Sequence, residues 1–200
     1  MSRYRGPRVK VVRRLGRSPG LTRKKGKEKP GYMPQYTPAE KASQYRIRLD
    51  EKQKLRFHYG LAEQQLLRYV RAAGRAKGPT GQVLLQSLEM RLDSTILRLG
   101  MAPTIPGARQ LVTHKHILVN GHVISIPGHR CEPGDVVTAK PGHTTGGKNG
   151  IYSLDDQITK PAQSAPYPLS GLVDQPMDHK RIDVNINELL VVEYYSRQAQ

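Results

Sequence analysis

Between Gly107 and Ile126 the chain reads GARQLVTHKHILVNGHVISI, with His114, Lys115, His116 and His122 crowded close behind Arg109. Three chemistries could use such a cluster: metal ligation, proton transfer, or neutralisation of phosphates. A metal site would draw on His114, His116, His122, His129 and Cys131. Structural zinc asks for four ligands at tight paired spacing, commonly with cysteines. Here there is one cysteine, and the histidines flank Asn120-Gly121 on both sides, where strand neighbours point to opposite faces. They cannot all converge, and no metal is expected. Nucleophilic catalysis lacks its signatures too, since no G-x-S-x-G elbow occurs and Cys131 has no reactive local motif. Residues 142–150, GHTTGGKNG, have the spacing of a phosphate loop, but Asn149 stands where Ser or Thr would hold Mg²⁺. Gly150 discourages the helix that should follow, so this segment reads as a loop. Polyanion binding survives.

The charge agrees. The 200 residues carry 33 Lys and Arg against 16 Asp and Glu, a net of +17, a field that attracts nucleic acid. Residues 1–29 hold +11 of this, whereas residues 151–200 carry −3, so the binding surface belongs to the first three quarters. No run reaches the ~18 apolar residues of a spanning helix, which argues against a membrane partner. A lone Cys131 rules out an internal disulfide framework.

The elements that must hold these groups follow from periodicity. The first 36 residues scatter Pro and Gly among basic residues without a sustained period, and predict an extended basic arm ordered by its polyanion. Thr37-Pro38-Ala39-Glu40 fits a capping box, with Ser43 a second possible start, and that helix ends near Gly60. LAEQQLLRYVRAA predicts another helix, with Leu66, Leu67, Val70 and Ala73 on one face, closing at Gly74. A long helix over about 82–99 places Leu85, Leu88, Leu92, Ile96 and Leu99 three or four apart, with Gly100 as its C-terminal cap. A short helix then precedes a hairpin, Ile117–Val119 and His122–Ile126 about Asn120-Gly121, and a strand at Val136–Lys140. The terminal INELLVVEYYSR favours a strand by its β-branched residues, yet Leu189, Val192 and Tyr195 allow a helix.

On this frame Arg91 and Arg98 lie seven apart and share a face of the long helix. Arg109 falls in the first turn of the next, where free backbone N–H groups also favour phosphate. It is the best single contact, with Gln110 able to bond sugar or base. Lys115 and His116 follow at the helix end, where His114 and His116 serve either packing or RNA contact. Asn120 has a structural task in the turn. No DNA-reading motif is present, and a compact basic patch with a long arm suits the converging phosphates of a folded RNA.

At EMRLDSTILRLGMAPTIPGARQLVTHKHILVNGHVISIP the chain resembles the RNA-binding module named after small-ribosomal-subunit protein four. MSRYRGPR, RRLG, QYRIRLDEKQKLRFHYGL and INELLVVEYYSR extend the resemblance to that ribosomal family over nearly the full length. It implies an α+β chain. A small all-helical domain (44–89, with 184–200 returning as a helix) is interrupted by the RNA-binding module (90–150). The basic arm (1–43) precedes these, and 151–183 form a loop-rich insertion. It further implies a non-enzymatic primary binder of 16S-type rRNA, engaging a multi-helix junction of the 5′ domain. Its neighbours would be small-subunit protein five and other ribosomal proteins, near the channel by which mRNA enters and the region governing decoding accuracy.

Carried over residue by residue, the family's arm falls on Arg3, Tyr4, Arg5, Arg8, Lys10, Arg13, Arg14 and Arg17. The module's RNA-facing set falls on Arg91, Arg98, Arg109, Gln110, His114, Lys115 and His116. Some bacterial members carry an N-terminal cysteine cluster, and none precedes Cys131 here, so neither zinc nor another cofactor is expected. The IPGARQLV version is similar to plastid and cyanobacterial members. Because the pattern begins at Ser2, a plastid copy is expected to be made inside the organelle. The rivals are an RNA-modifying enzyme on the same module and a free-standing module that rescues stalled large subunits. The first needs a catalytic domain for which no length remains, and the second lacks the helical domain.

Overall fold

The computed structural model describes residues 4, 6–16, 18–24, 43–140, 170–172 and 186–196. Among them the helices are α1 (Arg8–Leu15), α2 (Gln44–His58), α3 (Glu63–Arg75), α4 (Thr80–Glu89), α5 (Leu92–Arg98), α6 (Ile105–Thr113) and α7 (Glu188–Ser196). The strands are β1 (Ile117–Val119), β2 (His122–Val123), β3 (Val136–Ala139) and β4 (Ser170–Leu172). The chain divides into two compact units, residues 1–85 with 179–200, and residues 86–178. The phosphate-loop-like segment and the Thr37 capping box lie outside the described residues.

The first unit is helical. Ser43, the second of the two possible starts, caps α2 by accepting the Arg46 backbone N–H at 3.3 Å. The helix closes as expected: Gly60 takes φ +59°, its N–H donates to Phe57, and the Leu61 N–H reaches back to Arg56. α3 runs past Gly74 to Arg75 and buries Leu66, Val70 and Ala73, with Leu67 half-buried. The C-terminal segment is a helix, as the resemblance implies and propensity does not. α7 lies along α2, where Arg48 donates to Glu193 at 2.6 Å and the Asn187 N–H to Glu51 at 3.1 Å. Its inward face is Val191, Tyr194 and Tyr195, whereas Leu189 is exposed. Lys52, almost wholly buried, donates to Glu63 at 2.8 Å, which also accepts the Tyr195 hydroxyl at 2.6 Å. Burial pushes the Glu63 carboxyl up, but the hydrogen bonds from Lys52 and Tyr195 outweigh it and leave the pKa lowered.

The arm is not extended throughout. Arg8–Leu15 form α1, which buries Val11 and Leu15 against Leu21 and Phe57. Packing on α2 supplies what an eight-residue segment with four basic side chains could not achieve alone.

The second unit stacks α5 and α6 with an antiparallel sheet of order β2-β1-β3-β4. The register Ile117↔Ala139 and Val119↔Val137 puts four buried side chains on one face. Met90, Leu92, Ile96, Met101, Ala108, Val112 and Cys131 complete the core. Asn120 at φ +50° and Gly121 at φ +79° make the tight turn that the dipeptide predicts. The paired part of β2 stops at Val123, short of Ile126, because the chain then turns back toward α5.

The long helix over 82–99 is corrected to two helices. Arg91 adopts φ −79° and ψ 140°, extended backbone, and bridges Arg130. The Cys131 N–H donates to the Met90 carbonyl and the Leu92 N–H to the His129 carbonyl, both at 2.8 Å. Ladder bonds to a segment forty residues downstream replace the helical ones, while Leu88, Leu92 and Ile96 stay in the core. Gly100 at φ +72° ends α5, with its N–H on Leu97 and the Met101 N–H on Ile96.

Candidate nucleic-acid interface

In the second unit three arginines expected to face RNA are held by carboxylates. The side chain of Asp93 is 1% exposed and accepts from Arg91 Nε and Nη2 at 3.1 Å and from Arg109 Nε at 2.8 Å. It also takes the Ser94 backbone N–H at 3.0 Å. Arg98 forms a two-pronged bond to buried Glu89, at 3.0 and 3.1 Å, across the break between α4 and α5. Gly128 lets the Arg91 guanidinium lie close, since a Cβ there would sit 3.2 Å from it. Two expectations need correction. Arg91 and Arg98 do not share a face of one helix, because Arg91 precedes α5 as its N-cap and Arg98 closes it. Arg109 is not in a first turn: Thr104 caps α6, accepting the Gly107 N–H at 3.3 Å, so Arg109 lies one turn in. The first-turn amides are therefore not beside it.

The remaining module residues gather at the C-terminus of α6. Gln110, His114 and Lys115 are exposed and His116 is half-buried. The imidazoles of His114 and His116 stack with centroids 6.0 Å apart at 27°. Between them Lys115 takes φ +61°, closing the helix: its N–H donates to Val112 and the His116 N–H to Leu111. That pattern normally places Gly at this position, so Lys115 holds a left-handed backbone an L side chain resists. Nearby, Asn120 is structural, as expected. Its amide donates to Asp135 at 2.9 Å and its oxygen accepts the Val136 N–H at 2.9 Å. No group of His, Cys, Asp and Glu able to hold a metal occurs among the described residues.

In the first unit Arg8, Lys10, Arg13 and Arg14 are exposed along α1. Tyr4 stands edge-on to Phe57, ring centroids 5.1 Å apart at 78°. Gly6 allows this, because a Cβ there would come within 2.6 Å of the Tyr4 hydroxyl. Arg3, Arg5 and Arg17 lie outside the described residues. Sequence reasoning missed Asp93 and Glu89, although an acid two residues after Arg91 in a basic chain is a visible signal. It also missed Phe57, Gln53 and Arg56, which only the packing of α1 brings beside Tyr4.

Two family models match the chain. The ribosomal protein S4/S9 N-terminal domain covers residues 3–89, and the S4 domain covers residues 90–137. Over 202 aligned residues, and 100% of both chains, it is 61% identical to small ribosomal subunit protein uS4c of Huperzia lucidula. It is 60% identical to that of Ricciocarpos natans and 59% to that of Marchantia polymorpha, again over 100% of both chains.

Proposed function

Because this chain belongs to the ribosomal protein S4 family, we propose that it is a structural, non-catalytic constituent of a plastid small ribosomal subunit. The observation that carries the reading is the full-length match, which takes in both the helical unit and the RNA-binding module. The net charge of +17 supports an rRNA partner, since neutralised phosphates supply most of such binding. In the finer reading the protein binds a multi-helix junction of 16S-type rRNA early in assembly. There it adjoins small-subunit protein five and the path of mRNA, and supports decoding accuracy. The exposed cations of α1 and Lys115 with His114 meet the RNA directly. Arg91, Arg98 and Arg109, held by Asp93 and Glu89, brace the surface from which the α6 terminus projects.

The test is affinity for an rRNA fragment spanning the 5′-domain junction, titrated with salt, against a plain duplex of equal length. Tight binding that prefers the junction is the expected result. Equal binding to both would reduce the charge to nonspecific attraction and overturn the junction reading.

A further inference from the structure

A groove of about 430 Å³ opens between α1 and α2 in the first unit, within the size range of small-ligand sites. Val11, Leu15 and Leu49 give it an apolar wall, Tyr4 and Phe57 an aromatic corner, and Lys10, Arg14 and Arg56 a basic rim. The Arg56 guanidinium lies 4.7 Å from the Phe57 ring centroid, so a planar cation extends the aromatic surface. Among the described residues, carboxylates reach this rim only at its margins, Asp50 at 3.9 Å from Arg14 and Glu63 at 4.0 Å from Arg56. Two lining side chains also carry an unanswered polar atom. Gln53 Oε1 and Arg56 Nε are shielded from solvent, and neither has a hydrogen-bond partner among the described residues.

We propose that this groove binds one unstacked nucleotide of RNA, the base in the aromatic corner and its phosphates on Lys10 and Arg14. A nucleobase matches each feature. It is flat and apolar on its faces, and it carries donors and acceptors on its edge. Gln53 and Arg56 can meet that edge by turning their polar ends, and the attached phosphate complements the rim. An apolar peptide side chain would fill the wall but leave the rim's charges and the Gln53 amide unmatched. This inference rests on the RNA-binding reading above and adds a base-specific site to it.

Phe57 is the one phenylalanine in the chain, so fluorophenylalanine labelling of the full-length protein gives a single fluorine resonance inside the groove. The probes are a single-stranded RNA pentamer, an abasic pentamer with the same phosphates, and the junction fragment. The base-bearing pentamer shifts the resonance saturably and the abasic one does not. Gln53→Leu weakens the base-bearing pentamer about tenfold while its salt slope stays unchanged. An equal shift with the abasic pentamer overturns the proposal in favour of a phosphate contact alone. A resonance that no RNA moves also overturns it and leaves the groove to an apolar partner. Junction preference with a silent Phe57 defeats only the groove. A Phe57 that responds to bases without junction preference defeats only the junction reading.

Discussion

Arg109 Nε donates to Asp93 Oδ2 at 2.8 Å across sixteen residues of chain, and so ties α6 to the start of α5. Arg91 grips the same carboxylate, with Nη2 also on Oδ2 and Nε on Oδ1. A buried carboxylate between two guanidinium groups is worth less than its attraction suggests, because all three were taken out of water. Removing the carboxylate alone is costly, since two largely buried cations and the Ser94 N–H each lose a charged acceptor. Asp93→Ala should lower unfolding stability by about 3–5 kcal/mol, read from the urea midpoint. A loss below about 1 kcal/mol would mean the arginines find other partners and that Asp93 does not organise the surface.

Lys115 sets stability against binding. Its φ of +61° is one that glycine adopts freely, so Lys115→Gly should stabilise the protein by about 1 kcal/mol. If its ammonium contacts phosphate, the same change flattens the log–log salt slope of junction binding by roughly 0.7–0.9. Arg91→Ala, by contrast, should destabilise the fold. A gain in stability with an unchanged slope would remove Lys115 from the interface.

Asn120 does two things at once, holding a left-handed turn position and bridging Asp135 to the Val136 N–H. Asn120→Ala forfeits both and should cost about 2 kcal/mol. Asn120→Gly keeps the backbone preference and loses only the bonds, so its melting temperature should fall between the two. If alanine and glycine behave alike, the turn geometry contributes nothing measurable.

Cys131 has no exposed surface, and burial pushes its thiol from an ordinary 9.0 up to about 11. Asp135 and Asp93 add to the rise, against a hydrogen bond from Thr95. A folded-state pKa above the unfolded one stabilises fully below pH 9 and is lost as pH climbs toward 11. The parent should therefore lose more stability over that window than Cys131→Ala does, in parallel urea titrations. At pH 8 a thiol reagent should label the native protein only as fast as it unfolds. Rapid native labelling would contradict the burial.

Local rules were enough for much of this molecule. Ser43 as one of two possible helix starts, Gly60, Gly100 and the Asn120-Gly121 turn were legible because caps and tight turns depend on residues within a few positions. The spacing of Leu85, Leu88, Leu92, Ile96 and Leu99 announced a buried stripe, and all of it is buried except Leu99, which is half-buried. The net charge and its concentration in the N-terminal quarter pointed to a polyanion before any contact was known.

Tertiary structure decided what depended on partners distant in the chain. Helical spacing persists straight through Met90 and Arg91, yet the helix breaks there because residues 127–131 offer their backbone groups instead. The C-terminal segment has strand-like composition and becomes α7 because α2 and α3 provide a place for Val191, Tyr194 and Tyr195. The basic stretch Arg8–Leu15 is helical because Val11 and Leu15 find Phe57 and Leu21. Above all, arginine identity was readable but arginine environment was not. Whether a guanidinium faces solvent or a buried carboxylate is a matter of desolvation and geometry, and Asp93 and Glu89 settle it for Arg91, Arg98 and Arg109.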